Sequence, residues 1–192
     1  MLPLSHFYIA KSLYKSFLKN LNIKLDLNSF VYGCVKPDFT PSLIRISHYK
    51  NKSFDTICNR ISLLESEPFP KTRKDLKKFS MELGIVAHYL IDYFCYPHNN
   101  KKYDFTPIHF IYENILAYVL RKINIEKLSY TFLTFAEDSL INSSEDLINF
   151  INKKHMDYLN KDGKVFKDIE FSVEICATVL YNILKKNTRQ FS

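Results

Sequence analysis

Between Leu76 and Cys95 the residues Leu76, Phe79, Leu83, Val86, Ala87, Leu90, Ile91 and Phe94 put apolar side chains around nearly the whole circumference of a helix. A helix that is apolar on all sides belongs in the middle of a packed structure, so the other segments must wrap it. Their pattern suits that task, because apolar residues recur at helical spacing through most of the chain. Phe7, Ala10, Leu13, Tyr14, Phe17 and Leu18 form a stripe over a first helix near 6–20, with Ser5 as its N-cap. The same spacing predicts helices over 27–35, 53–65, 75–96, 105–123, 126–141, 145–158 and 168–186, with breaks at Pro37, Pro41, Pro68, Pro70, Pro97, Pro107 and Gly163. The last of these shows one stripe, Ile169, Val173, Cys176, Ala177, Leu180 and Leu184, with Lys185 and Lys186 in its final turn, and reads as an outer scaffold helix. The polar stretches 66–74 and 99–104 read as connections. A length of 192 residues with 46% hydrophobic side chains suffices for one core, and no break in composition divides the chain. The expected fold is therefore all-α, a compact multi-helix single domain over 1–192.

Three glycines leave little material for a glycine-rich phosphate loop, and no Walker-type or dinucleotide fingerprint is present. Cys34, Cys58, Cys95 and Cys176 are scattered without a CxxC pair and read as reduced core thiols in a reducing compartment. The opening residues do not read as a secretory signal, because His6, Lys11 and Lys15 interrupt the apolar run. No window approaches 18 uninterrupted apolar residues, so a soluble, cytoplasmic protein is expected, with peripheral contact at a membrane surface left open. A formal charge of +7 favours anionic partners in general. The basic residues are spread out, without the dense aromatic-interleaved block that would make nucleic-acid binding the leading idea.

The chemistry sits in an ordered series of histidines and carboxylates. His88 and Asp92 are four residues apart on the central helix and leave the same face, along with Ile85 and Cys95. Alone, that pair fits a buried His–Asp hydrogen bond as well as a metal. His98 follows behind Pro97, and His109 with Glu113 repeats the four-residue spacing. A carboxylate facing inward from an apolar helix needs a paired charge or a metal, and no Lys or Arg lies between Lys78 and Lys101. Upstream, Asp38 stands in a turn after Pro37, His48 follows ten residues later, and His6 opens the first helix; singly these fit a cap or packing residues. His155, in a solvated-looking segment, is assigned no role.

The whole series is His6, a GxxxPD motif ending at Asp38, His48, HxxxD over 88–92, five residues to His98, and HxxxE over 109–113. It resembles the bacterial zinc-dependent phospholipase C family, which is related to the fungal single-strand-specific zinc nucleases. The likeness spans 6–113 and implies an all-helical protein with up to three zinc ions on the floor of a cleft. On this resemblance Asp38, His48, His88 and Asp92 hold the first zinc, with Asp92 bridging. His98, His109 and Glu113 hold a second, more open zinc. His6 and Asp92 hold a third, gripped also by the amino group and carbonyl of the first residue. In the family that residue is tryptophan; this sequence has none, and Met1 takes its place. The spacing from Met1 to His6 is similar to the nuclease branch, and Glu113 to the phospholipase branch.

Imidazole and carboxylate donors without thiolate suit zinc with open positions for water. The resemblance implies a phosphoester hydrolase, with Asp38 orienting or deprotonating the attacking water and Phe39 lining the head-group pocket. From the residues alone Phe39 fits a choline ammonium, a base or the core equally. Three zinc ions would raise the formal charge from +7 to about +13, which favours an anionic substrate surface. Phospholipid head-group cleavage is the first expectation and nucleic-acid or nucleotide hydrolysis the second. A non-catalytic helical protein that keeps metals for stability is the third.

Overall fold

The computed structural model describes residues 1–100, 103, 106–137 and 141–189. The fold is all-α, and no strand occurs among the described residues. The helices are α1 (Pro3–Leu21), α2 (Leu27–Val35), α3 (Pro41–Ile44), α4 (Lys50–Ser66), α5 (Arg73–Tyr93), α6 (Pro107–Lys122), α7 (Ile125–Glu137), α8 (Ser144–Asn160) and α9 (Val165–Arg189). Two 3-10 turns, Lys36–Asp38 and Tyr96–Asn99, follow α2 and α5. Residue 105 of the helix expected over 105–123, residues 138–140 of that over 126–141, and residues 101, 102 and 104 of the connection over 99–104 lie outside the described residues.

As the sequence predicts, α5 is central: every residue from Leu83 to Cys95 is buried. The expected helix over 75–96 stops early, at Tyr93, and the chain turns extended at Cys95, because Pro97 has no N–H to give the Tyr93 carbonyl and its ring would crowd that carbonyl in a continued helix. The reading of α9 as an outer scaffold is overturned. From Lys167 to Leu184 only Glu170 and Glu174 escape burial, so α9 is a second central helix. Its polar residues are buried because they are hydrogen-bonded inside. Ser172 donates to the Ile91 carbonyl (3.2 Å), and Asn187 to those of Leu64 (2.8 Å) and Glu67.

The start of α1 also differs from expectation. Pro3 occupies the first turn with Leu2 at the cap position, so Ser5 lies inside the helix rather than capping it. Pro is suited to that place because its missing N–H would have no helical partner there. Phe7 and Leu18, counted in the apolar stripe, are exposed, while Ser5, His6, Ser12 and Ser16 share the buried face. Ser12 meets Ser129 of α7 hydroxyl to hydroxyl at 3.0 Å.

Two glycines set how closely α2 approaches α5. A Cβ on Gly33 would overlap the Met81 carbonyl, and one on Gly84 the Phe30 carbonyl, so the two helices touch backbone to backbone. That contact delivers Asp38, three residues past the end of α2, next to His88 on α5. Gly84→Ala is expected to cost at least about 1–3 kcal/mol, since a backbone carbonyl cannot rotate out of the way as a side chain can. It should also weaken metal binding by moving Asp38 from His88. Urea unfolding and zinc competition against a chromophoric chelator check the two effects separately.

Candidate metal centre

Asp92 is the hub. Its side chain is fully buried, and its Oδ2 lies 2.6 Å from His48 Nδ1 and 3.3 Å from His88 Nε2. Its Oδ1 lies 3.3 Å from His6 Nε2 and accepts a hydrogen bond from the amino group of Met1. His6, from the first turns of α1, stacks on His88 with ring centroids 4.0 Å apart. Asp38 approaches from the 3-10 turn after α2, its Oδ1 3.8 Å from His88 Nε2. His48 comes from the connection between α3 and α4.

A second group lies beside the first. Thr106 caps α6 and Pro107 opens it, so His109 and Glu113 project from its first two turns. Glu113 Oε1 lies 2.8 Å from His109 Nε2 and 3.3 Å from His98 Nε2. The Met1 amine stands between the groups, 3.3 Å from Glu113 Oε1 and 3.2 Å from His98 Nε2. It faces this second group as well as Asp92, whereas the family resemblance pairs it with His6 and Asp92 alone. Among the described residues, four sets have ligand atoms within 4.8 Å of one another: His6, His88 and Asp92; Asp38, His48 and His88; His48, Asp92 and His98; and Cys95, His98 and Glu113.

Several residues aim these side chains, and sequence reasoning missed them. His88 Nδ1 donates to the Cys34 carbonyl (2.9 Å), and His109 Nδ1 to that of Tyr103 (3.1 Å). Each bond puts the proton on Nδ1 and leaves the Nε2 lone pair facing the cluster. The turn bearing His98 is clamped by Asn99, whose amide donates to the carbonyls of Tyr93 and Cys95, both at 2.9 Å. Asn99 Oδ1 in turn accepts from His155 Nε2 (2.9 Å). His155 is thus half-buried against Phe94 and supports the turn, where its polar surroundings in sequence suggested solvent. Asp168 of α9 fastens the same turn, accepting from the Tyr96 backbone N–H (2.7 Å), the Tyr112 hydroxyl (2.7 Å) and the Tyr158 hydroxyl (2.8 Å). Burial still raises its carboxyl to about 6.

The electrostatics are those of a site built for cations. Burial opposes charge on Asp92, but the Met1 ammonium, then His98, His6 and His88, overcome it and hold the carboxyl well below the usual range. Glu113 is likewise held low, the Met1 ammonium and His98 outweighing its burial. Burial pushes His6 down to about 3 and lowers His98. His48 is raised, because Asp92 outweighs its desolvation. Asp38 is raised by burial. Neither ring nitrogen of the fully buried His6 has a hydrogen-bond partner, and the same is true of Asp38 Oδ2 and His98 Nδ1. Buried polar atoms left without partners among carboxylates and imidazoles fit divalent cations held by nitrogen and oxygen donors.

The cluster opens to solvent on the side of His48, His109 and Asp38, whose side chains are 22%, 19% and 18% exposed. Phe39 is 66% exposed and is not a core aromatic. A groove of about 970 Å³ elsewhere, between α4 and α5 and lined by Arg60, Phe69 and Glu82 among others, contains none of the cluster residues. Cys95, read from sequence as a core thiol, is buried but belongs to one of the ligand sets. Its signal in the sequence was the CxxH spacing to His98.

Helices packed around a buried cluster of imidazoles and carboxylates define an all-α protein with the groups to hold metal ions. The chain belongs to the zinc-dependent phospholipase C family, whose model matches residues 5–164. The match extends past the motif-bearing region 6–113 and stops just short of α9. No curated protein and no solved structure matches the chain.

Proposed function

We propose that the chain, acting as one domain, is a zinc-dependent phosphodiesterase that cleaves a phospholipid head group. The observation that carries this reading is the fully buried Asp92 carboxylate, faced by His6, His48 and His88. Up to three zinc ions are assigned to Asp38, His48, His88 and Asp92; to His98, His109 and Glu113; and to His6, Asp92 and the Met1 amine. Zinc held there supplies a strong electrophile for phosphoryl oxygens and an acidified water. Asp38 would orient the attacking water and accept its proton, a role suited to a carboxylate with a raised pKa and an unpartnered oxygen at the mouth of the site. His88 and His109, held by the carbonyls of Cys34 and Tyr103, keep the donor geometry fixed during the reaction.

The exposed Phe39 beside Asp38 and Phe110 beside His109 support an amphiphilic substrate, because they put apolar rings next to ligands at the mouth. A net charge of +7 favours peripheral contact with an anionic lipid surface. No helix among the described residues is long and apolar enough to cross a membrane.

Elemental analysis of the purified protein, beside hydrolysis of a chromogenic choline phosphodiester with and without chelator, tests the proposal. Two to three zinc ions per chain and turnover abolished by chelator are expected. Turnover only on single-stranded nucleic acid would move the same centre to nucleotide chemistry. Bound metal with no turnover on either substrate would leave a non-catalytic metal protein.

A further inference from the structure

The mechanism gives Cys95 nothing to do. Its backbone is pinned on three sides: its N–H donates to the Asp92 carbonyl (3.1 Å), and its carbonyl accepts from the Asn99 amide (2.9 Å) and the His98 N–H (3.0 Å). The direction of its Cα–Cβ bond is therefore set by the same turn that carries His98. Its sulfur lies with ligand atoms of His98 and Glu113 in a set in which all are within 4.8 Å of one another. The other cysteines appear in no such set among the described residues, and Cys176 donates instead to the Ala87 carbonyl at 3.6 Å. His98 adds a second observation, a buried Nδ1 with no hydrogen-bond partner in the same group.

We propose that Cys95 is a metal ligand, joining His98 and Glu113 through its thiolate to form a mixed sulfur, nitrogen and oxygen site. The inference rests on the metal reading of the cluster and changes the character of its second site. On binding, the Cys95 thiol gives its proton to solvent as the sulfur–metal bond forms. One thiolate and one carboxylate then neutralise a divalent cation within a buried pocket. With His109, 2.8 Å from Glu113, four protein donors are at hand, the number that closes a tetrahedral sphere. A thiolate also selects zinc over magnesium, calcium or manganese.

Cobalt(II) added to the metal-free full chain, followed by absorption spectroscopy, reads sulfur ligation directly. The wild-type protein is expected to develop a thiolate-to-cobalt charge-transfer band in the near ultraviolet. Cys95→Ser should bind cobalt without that band. A variant combining Cys34→Ala, Cys58→Ala and Cys176→Ala should keep it. Because a substitution in this turn can impair folding, the unaltered zinc-loaded protein provides a second measurement, X-ray absorption fine structure. There a sulfur shell at about 2.3 Å is expected. Cobalt or zinc bound with only nitrogen and oxygen neighbours would overturn the role of Cys95 and leave the hydrolase reading standing. Failure of the wild-type chain to bind either metal would overturn both.

Discussion

Asp92→Asn is expected to empty the centre of metal and to destabilise the metal-free protein by about 3–5 kcal/mol. The figure is that for removing one partner of a buried charge pair and leaving the other uncompensated. Here the uncompensated partner is the Met1 ammonium, whose pKa Asp92 helps to raise against the opposing effect of burial. Among the described residues, the carboxylate is the one group that meets His6, His48, His88 and the Met1 amine, so no single neighbour can replace it. An amide keeps the shape, which removes cavity formation as a cause. Urea unfolding of the chelator-treated wild-type and variant proteins measures the first effect, and elemental analysis of untreated samples the second. A variant with wild-type stability and a full metal complement would mean that the cluster is not organised around Asp92.

The sequence made this hub visible for a simple physical reason. A carboxylate on a helix otherwise apolar all round has nowhere to go but inward, and four-residue spacing puts His88 on the same face. The pair His109 and Glu113 is legible in the same way. Asp38 and His48 were legible only through their order in the series, because turns and connections carry no periodicity that fixes where a side chain points.

What was not legible depends on tertiary contacts. The stripe on α9 marks one apolar face, but Asp168, Ser172 and Asn187 are buried too, each hydrogen-bonded to a partner distant in sequence. Polar residues of that kind read as solvent-facing until their partners are known. The same holds for His155, whose place is fixed by Asn99 and Phe94, more than fifty residues upstream. Cys95 was hidden differently: a thiol in an apolar run reads as a small hydrophobe, and only the end of α5 at Tyr93 turns it out of the helix toward His98 and Glu113. Closeness at Gly33 and Gly84 also needed the fold, since nothing in a helical pattern says which neighbour a missing Cβ admits.

Asp38→Asn should lower kcat by about 10²–10⁴-fold, the range for removing a positioned general base, with little change in KM. The residue suits the experiment because it lies in a 3-10 turn at the mouth of the site, its side chain 18% exposed, so the helices do not depend on its charge. Far-ultraviolet circular dichroism should therefore match the wild type. Metal content separates its two assigned roles. A fall of one zinc per chain alongside the rate loss means that Asp38 acts chiefly by holding a cation with His48 and His88. An undiminished zinc count with the same rate loss means that it acts on the water. Phe39→Ala provides the contrast, because a ring at the mouth that binds a head group should raise KM several-fold and leave kcat nearly unchanged, as loss of uniform binding does. Wild-type kcat in Asp38→Asn would remove Asp38 from the chemistry altogether.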